Sequence, residues 1–155
     1  MNFQNQIHKL MLIAIEESQK ALLAGEVPIG AVVFHNDKII SQAHNLTESQ
    51  KDPTAHSEIL ALKKAGAKLN NWRLNECILC VTLEPCTMCM GAIRNARVGT
   101  VIYGAEDPDR GASGSLYDLS QDSRLGPVPR VIKGILKSEC ESILKEFFKT
   151  KRAKN

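Results

Sequence analysis

The sequence predicts an α/β protein in which helices pack on a mostly parallel sheet that follows an initial β-hairpin. Three observations support this fold class. Apolar residues recur at helical spacing near the N-terminus, whereas runs such as CILCVTL and VGTVIYG have the β-branched, apolar composition of buried strands. These strand-like runs alternate with segments of helical pattern, which is typical of parallel strands connected by helices.

The N-terminal half is predicted to contain a helix, a hairpin and a second helix. The first helix stops at Gly25 and has one apolar face, formed by Ile7, Leu10, Met11, Ala14, Ala21 and Leu22. The hairpin comprises residues 29–34 and 38–42, on either side of the turn sequence HND. The polar segment HNLTESQKDP is predicted to be a loop, and the second helix follows it and ends near Gly66.

The C-terminal half is predicted to contain three strands and two helices. The strand CILCVTL is followed by a helix that Pro85 opens and that runs to about Ala96. VGTVIYG is the next strand, residues 113–129 form a loop, and RVIKGIL is a short strand before a final helix from Ser138. Because no repeat or linker interrupts the pattern, residues 1–155 are predicted to form a single domain.

The composition is that of a folded domain. The 155 residues are 43% hydrophobic and 24% charged, which argues against disorder. The longest apolar run near the N-terminus, LMLIAI, is far shorter than a membrane helix requires, so a cytoplasmic location is expected. In that reducing compartment the five cysteines are expected to be metal ligands, redox groups or core residues rather than disulfides.

The C-terminal segment KEFFKTKRAKN is basic and aromatic. Five cations oppose Glu146, namely Lys145, Lys149, Lys151, Arg152 and Lys154. Phe147 and Phe148 are adjacent, so on a helix at most one of them can point fully into the core. Such a segment suits a polyanion such as RNA, but cations also stabilise the C-terminal end of a helix, and the sequence leaves both interpretations open.

The strongest chemical signal is EPCTMC, in which Cys86 and Cys89 are three positions apart at a predicted helix start. That spacing places both sulfurs on one helix face, where the helix dipole favours thiolates. A CxxC alone could equally be a redox motif of the thioredoxin type. If His56 lies at the first turn of its own helix, its ring can complete a set of three ligands. Three protein ligands and one open coordination position are typical of catalytic zinc.

The stretch DPTAHSEILAL places Glu58 two positions after His56. In mid-helix such residues point to nearly opposite sides, whereas at a helix start they can face one site. We therefore predict that His56 binds the metal and that Glu58 exchanges protons with water there without being a ligand. The alternative is a first-turn carboxylate that only stabilises the helix dipole.

The remaining cysteines are predicted to be core residues. Cys77 and Cys80 repeat the CxxC spacing, but they lie in a strand, where positions three apart face opposite sides. A core role is also predicted for Cys140. Surface positions are predicted for the histidines His8 and His35, and no role is assigned to His44.

The HxE and PCxxC motifs resemble those of the zinc-dependent nucleobase deaminases. Together with EVPIGAVV, TLEPCTMCMGAI, YGAEDPDRGASGS and GILKSEC, they make the sequence similar to the bacterial tRNA-specific adenosine deaminases from about Met11 to Lys151. The resemblance implies a cytidine deaminase-like, three-layer α/β/α sandwich with a mixed five-stranded sheet and helices on both faces. It also implies a homodimer with one zinc ion per subunit.

The same resemblance implies hydrolytic deamination of adenosine to inosine at the wobble position of an arginine tRNA. The partner would be the tRNA anticodon stem-loop, with no DNA or membrane partner expected. Glu58 would be the general acid/base, Asn45 would contact the flipped nucleotide, and Asp107 would contact the anticodon-loop backbone. The segment LGPVPRV, residues 125–131, stands where relatives commonly have an asparagine–histidine pair before the arginine.

Two alternatives remain open from the sequence. A deaminase of free bases such as guanine shares both motifs, although the loop GAEDPDRGASGS and the basic tail argue against it. A zinc-stabilised or redox-stabilised binding module without turnover would leave Glu58 without a role.

Overall fold

A computed structural model describes residues 1–155. The helices are α1 (Phe3–Leu23), α2 (Thr47–Gln50), α3 (Ser57–Leu69), α4 (Thr87–Asn95) and α5 (Lys137–Lys154). The strands are β1 (Gly30–His35), β2 (Lys38–His44), β3 (Ile78–Leu83), β4 (Thr100–Ala105) and β5 (Arg130–Lys133). A 3₁₀ turn at Ser123–Leu125 lies in the long loop before β5.

The five strands form one mixed sheet in the order β2-β1-β3-β4-β5. Strand β1 pairs antiparallel with both β2 and β3, whereas β3–β4 and β4–β5 are parallel. The hairpin therefore occupies one edge, and parallel strands connected by α4 and by the long loop complete the sheet. The predicted mixed five-stranded sheet is confirmed.

Side chains that alternate along the strands divide the core into two layers. Val32, Cys80 and Ile102 belong to the cluster that packs under α1 and α5. Their neighbours along the same strands belong to the cluster under α3 and α4, which includes Val33, Leu79, Val81 and Val101. Successive strand residues point to opposite faces, so the sheet buries both sides and the three-layer α/β/α prediction is confirmed.

The same alternation explains the cysteines outside the CxxC motif. Cys77 belongs to the core layer under α3 and α4, whereas Cys80 and Cys140 belong to the other layer, and all three are buried. The core prediction for these residues is confirmed. Burial raises the pKa of Cys140 to about 12, so this thiol stays protonated at neutral pH.

Gly30 allows α1 to lie directly on the sheet. A Cβ at this position would collide with the carbonyl oxygen of Ala14 on α1. A larger residue would therefore have to push the helix away from β1. His44, for which the sequence assigned no role, anchors the same helix, because its Nδ1 lies 2.9 Å from a carboxylate oxygen of Glu17.

Several element boundaries differ from the predictions. The polar segment expected to be a loop contains the single-turn helix α2. Helix α3 continues past Gly66 to Leu69, because Asn70 provides the left-handed conformation (φ 50°) that ends it. Strand β5 ends at Lys133, since Gly134 turns the chain with a φ of 82°. His35 is the half-buried last residue of β1 and not a turn residue on the surface, whereas His8 is exposed as predicted.

None of the helices combines the length and the apolar character needed to cross a membrane.

Candidate active site

A cavity of about 570 Å³ opens where β3 and β4 end. Glu84 and Cys86 follow β3, Glu106 and Asp107 follow β4, and all four line the cavity. The carboxyl ends of neighbouring parallel strands are the usual place for ligand sites in α/β sheets. The volume lies within the range of small-molecule sites, which is roughly 300–1,000 Å³.

His56, Cys86 and Cys89 converge at this cavity. His56 Nδ1 lies 3.6 Å from Cys86 Sγ and 3.5 Å from Cys89 Sγ, and the three ligand atoms lie within 4.8 Å of one another. For tetrahedral zinc with bonds of about 2.3 Å to sulfur and 2.0 Å to nitrogen, the N···S separation is about 3.5 Å. The three residues could hold a metal ion, and their donor atoms suit zinc.

Two helix starts bring these ligands together. His56 is the N-cap of α3 and Cys86 is the N-cap of α4, and both have extended backbone conformations. Cys86 is therefore the cap that precedes α4, and Pro85 lies before the helix instead of opening its first turn as predicted. Both helices direct their positive dipole ends at the site, which stabilises thiolates.

The cluster favours ionised sulfur even without a bound cation. A hydrogen bond from Cys89, with a further contribution from His56, lowers the pKa of Cys86 to about 4. The hydrogen bond with Cys86 and burial together raise the pKa of Cys89. The hydrogen bond with Cys86 raises the pKa of His56. Metal binding would displace the protons that these groups share.

Glu58 faces the same cavity from the first turn of α3. It is 4% exposed and lines the cavity together with His56. The hydroxyl of Ser57 donates a 2.7 Å hydrogen bond to Glu58 Oε1. Burial raises the pKa of Glu58, and the Ser57 hydrogen bond opposes this effect. Because His56 is an extended N-cap residue and not part of the helix, residues two positions apart can reach one site.

Asn45 and Asp107 both line the cavity. Asn45 is 5% exposed, and its Oδ1 accepts a 2.8 Å hydrogen bond from the backbone N–H of Ser57. Asp107 is half-buried, and its Oδ1 accepts hydrogen bonds from the backbone N–H groups of Asp109 and Arg110 at 3.1 and 3.2 Å. The structure thus places both residues at the cavity, and Oδ1 of each already accepts hydrogen bonds from the backbone of the protein.

The C-terminal helix α5 closes one side of the cavity. Phe147 is 6% exposed and packs against the protein, whereas Phe148 is 45% exposed and lines the cavity with Lys151. The two rings meet edge to face, with centroids 5.3 Å apart. The prediction that only one of the two phenylalanines enters the core is confirmed. That the other one borders the cavity could not be predicted from adjacency alone.

Glu26 lines the cavity, although the sequence does not identify it. This 1% exposed carboxylate accepts hydrogen bonds from Ser49 N, Ser49 Oγ and Glu48 N, at 2.7, 2.7 and 3.1 Å. It thereby fixes α2 to the cavity wall. The motif EVPIG contains this acidic residue within an apolar stretch, but its partners are more than twenty positions away, so no local pattern predicts the contact.

The segment 125–131 lies outside the cavity lining. Arg94, which is 5% exposed, donates hydrogen bonds to the carbonyl oxygens of Gly126 and Pro127 at 3.0 and 3.2 Å. Arg94 also binds the carbonyl oxygens of Leu119 and Ser120. A buried guanidinium therefore fixes the course of this loop.

Comparison with known proteins gives consistent results. The family model of MafB19-like deaminases matches residues 4–152. The tRNA-specific adenosine deaminase of Bacillus subtilis (strain 168) is 46% identical over 141 residues, covering 91% of this chain and 88% of the relative. The enzyme of the same name from Haemophilus influenzae is 41% identical over 145 residues, covering 93% and 84%.

Solved structures agree with this result. A structure from a study of A-to-I editing by tRNA:A34 deaminases at the wobble position of transfer RNA matches with a TM-score of 0.83 and 40% identity, covering 88% of this chain and 99% of that chain. A guanine deaminase from Nitrosomonas europaea matches with a TM-score of 0.74 and 26% identity, covering 90% and 83%.

The fold and the site together define a deaminase of the cytidine deaminase-like class. Within that class, the chain belongs to the family of tRNA-specific adenosine deaminases.

Proposed function

We propose that the protein is a zinc-dependent hydrolase that converts adenosine to inosine at the wobble position of a tRNA anticodon, with an arginine tRNA as substrate. The observation that carries this proposal is the convergence of His56, Cys86 and Cys89 with the buried Glu58 at one cavity. The names of the relatives support tRNA adenosine as the substrate class.

One zinc ion per chain would be held by His56, Cys86 and Cys89. When bound, it would supply Lewis-acid activation of a water molecule. The extended N-cap conformations of His56 and Cys86 hold their side chains at the cavity wall. The first turns of α3 and α4 surround the site with oriented N–H groups, which favour the two negatively charged sulfurs.

Glu58 would move the protons of the reaction. Its carboxylate takes a proton from the attacking water and delivers it to the adenine ring nitrogen beside C6, then takes the proton of the hydroxyl now on C6 and delivers it to the departing amino group. Water addition at C6 and loss of ammonia convert adenine to hypoxanthine, so the atoms balance. The hydrogen bond from Ser57 Oγ holds Glu58 Oε1 in place between these transfers.

The cavity walls would recognise a nucleotide in an RNA loop. Asn45 is proposed to contact the flipped nucleotide, and Asp107 is proposed to contact the anticodon-loop backbone. Adenine must leave the base stack to reach a buried site, and an anticodon loop is already largely unpaired, which lowers the cost. Phe148 and Lys151 border the same opening, where a base can stack and a phosphate can pair.

The proposal extends to the assembly and location of the protein. We propose a cytoplasmic homodimer, which rests on the family likeness. Light scattering on the purified, active protein tests this part. A dimer mass is expected, and a stable, active monomer would contradict it.

A deaminase of free guanine is the second candidate, because guanine deaminases share the fold at 26–30% identity. The decisive experiment measures ammonia release by the zinc-loaded protein from tRNA, guanine, cytosine and cytidine in parallel. The matched control is the same tRNA with guanosine at the wobble position. Release only from the adenosine-containing tRNA is expected, whereas release from guanine alone would reject the tRNA assignment.

A further inference from the structure

Glu84 is a buried carboxylate that has no part in the proposed proton transfers. It follows the last residue of β3 and precedes the ligand Cys86 by two positions. It is 2% exposed, yet it lines the cavity. A buried carboxylate is costly unless its oxygens are hydrogen-bonded, so its partners indicate what it does.

Four donors from one loop converge on this carboxylate. Oε1 accepts hydrogen bonds from the backbone N–H of Asp107, at 3.2 Å, and from the Ser115 hydroxyl. Oε2 accepts from the backbone N–H groups of Ser113 and Ser115, at 2.9 and 3.2 Å. All four donors belong to residues 107–115, the loop that carries Asp107 and Arg110 along the cavity wall.

Backbone contacts bring the same loop against the metal-ligand segment. The N–H of Ala112 donates a 2.8 Å hydrogen bond to the Pro85 carbonyl oxygen, and Cys86 forms an isolated β-bridge with Gly111. A Cβ on Gly111 would collide with the Glu84 carboxylate. The glycine is therefore needed for the loop to approach the carboxylate this closely.

We propose that Glu84 is a positioning residue for substrate binding, which holds the loop 107–115 against the cavity. This proposal rests on the proposed function of the same cavity. Glu84 acts through Asp107 and Arg110, because all of its side-chain hydrogen bonds come from the loop 107–115. A carboxylate accepts hydrogen bonds at both oxygens, whereas the glutamine amide would place an NH₂ group against N–H donors. Glu84→Gln therefore replaces one of the two acceptor oxygens with a donor and leaves the side-chain volume nearly unchanged.

The test compares Glu84→Gln with Glu76→Gln, the same change at an exposed residue just before β3. Both zinc-loaded proteins are assayed with a minimal anticodon stem-loop. Glu84→Gln is expected to keep its zinc, to keep kcat within about threefold, and to raise KM at least about tenfold, because a displaced loop weakens binding. Glu76→Gln should leave both constants unchanged. An unchanged KM in Glu84→Gln, or a loss confined to kcat, would overturn the proposal.

A second readout does not depend on turnover. In Glu84→Gln one acceptor oxygen becomes an NH₂ group, so hydrogen exchange is expected to accelerate at the amides that donate to that oxygen, which are Ser113 and Ser115 for Oε2 or Asp107 for Oε1. Exchange in Glu76→Gln should match the wild type. Equal protection in all three proteins would overturn the positioning role even if the stem-loop proves not to be the substrate. Ser115→Ala, which removes only the hydroxyl donor, provides a milder variant if Glu84→Gln does not fold. It should raise KM about threefold, and an unchanged KM in it would count against the proposal.

Discussion

The side-chain oxygen of Asn45 and the backbone N–H of Ser57 are joined by a buried 2.8 Å hydrogen bond. Ser57 lies between His56 and Glu58, so this bond ties the β2–α2 connection to the first turn of α3. Because Oδ1 is committed to the protein, the amide NH₂ is the group of Asn45 that remains for a nucleotide. Asn45 thus connects the proposed nucleotide contact with the placement of His56, the proposed metal ligand, and Glu58, the proposed base.

Two substitutions separate these roles of Asn45. Asn45→Asp keeps an acceptor for the Ser57 N–H but loses the NH₂ donor, so KM should rise about tenfold or more. Its second carboxylate oxygen would be buried without a donor and should lower stability at neutral pH. Asn45→Ala leaves the Ser57 N–H without its acceptor and should also lower the free energy of unfolding by about 1–3 kcal/mol. Urea titrations and steady-state kinetics check both. Equal KM values for the wild type and Asn45→Asp would exclude a substrate role for the NH₂ group.

Glu58→Gln is expected to retain the metal and lose turnover. The amide keeps the volume and can still accept from Ser57, but it cannot take a proton, so the rate should fall by about 10²–10⁴-fold. Metal analysis and single-turnover rates are measured on the same sample. Glu16→Gln, at an exposed position on α1, is the matched control. Normal turnover by a zinc-loaded Glu58→Gln protein would remove Glu58 from the reaction.

Cys86→Ala is expected to abolish stable metal binding. The substitution leaves two of the three ligands, whereas Cys77→Ala removes a thiol from the core and should cost stability without loss of metal. Elemental analysis after dialysis against a weak chelator should find about one zinc per chain in the wild type and in Cys77→Ala. Full occupancy in Cys86→Ala would reject the ligand set.

Removal of the chain after Thr150 tests the basic tail. If Lys151, Arg152 and Lys154 contact phosphates, the slope of log K against log salt should flatten by up to roughly 2, at ~0.7 per charge for single strands. Deamination of a short stem-loop should suffer less than binding of whole tRNA, because the metal site is intact.

The control for the truncation is the double change Lys63→Gln and Lys68→Gln, at exposed positions of α3 on the other side of the sheet. This variant should keep the wild-type slope. An unchanged slope and affinity in the truncated protein would mean that the tail is only a solvated helix end.

Glu26 predicts an acid-dependent loss of stability. Burial alone would raise its pKa, but hydrogen bonds from Ser49 and Glu48 lower the pKa below 4.5 overall. The unfolded chain therefore binds more protons in this range, so the stabilisation is present above pH 4.5 and is lost as the pH falls through the folded-state pKa. Urea unfolding between about pH 5 and pH 3 should show this loss in the wild type and less of it in Glu26→Gln. If the free energy of unfolding falls equally with pH in the two proteins, Glu26 does not cause the loss.

The sequence predicts the parts of the fold that depend on local pattern. The spacing of apolar residues predicts the strands with two buried faces and the amphipathic helices. The end of α1 is predicted by Gly25. Local pattern does not predict helix α2. Its four residues are polar, and it is held by hydrogen bonds to the distant carboxylate of Glu26. The sequence predicts a strand over RVIKGIL, because the apolar residues after Gly134 look like a continuing strand, but β5 ends at Lys133, since this glycine turns the chain.

The residues of the candidate site also include some that the local sequence predicts and others that it does not. His56, Glu58, Cys86 and Cys89 lie in short motifs whose spacing reflects helix starts, and these four residues could be identified without a structure. Glu84 and Phe148 could not, because a buried glutamate and a half-exposed phenylalanine have no distinctive local pattern. Their roles depend on which loop or cavity the tertiary fold brings beside them.

The contact between the first and last helices has a consequence for synthesis on the ribosome. Cys140 Sγ lies 3.8 Å from Met11 Sδ, so α5 completes the core layer that α1 began. The metal-ligand segments leave the ribosome long before α5, which contributes Phe148 to the cavity. A nascent chain that ends after β4 therefore carries all three proposed metal ligands but exposes apolar sheet surface, the kind of surface that chaperones bind. If the proposed metal site binds zinc, it can do so before the cavity is complete, and the last helix then supplies the wall at which RNA is proposed to bind.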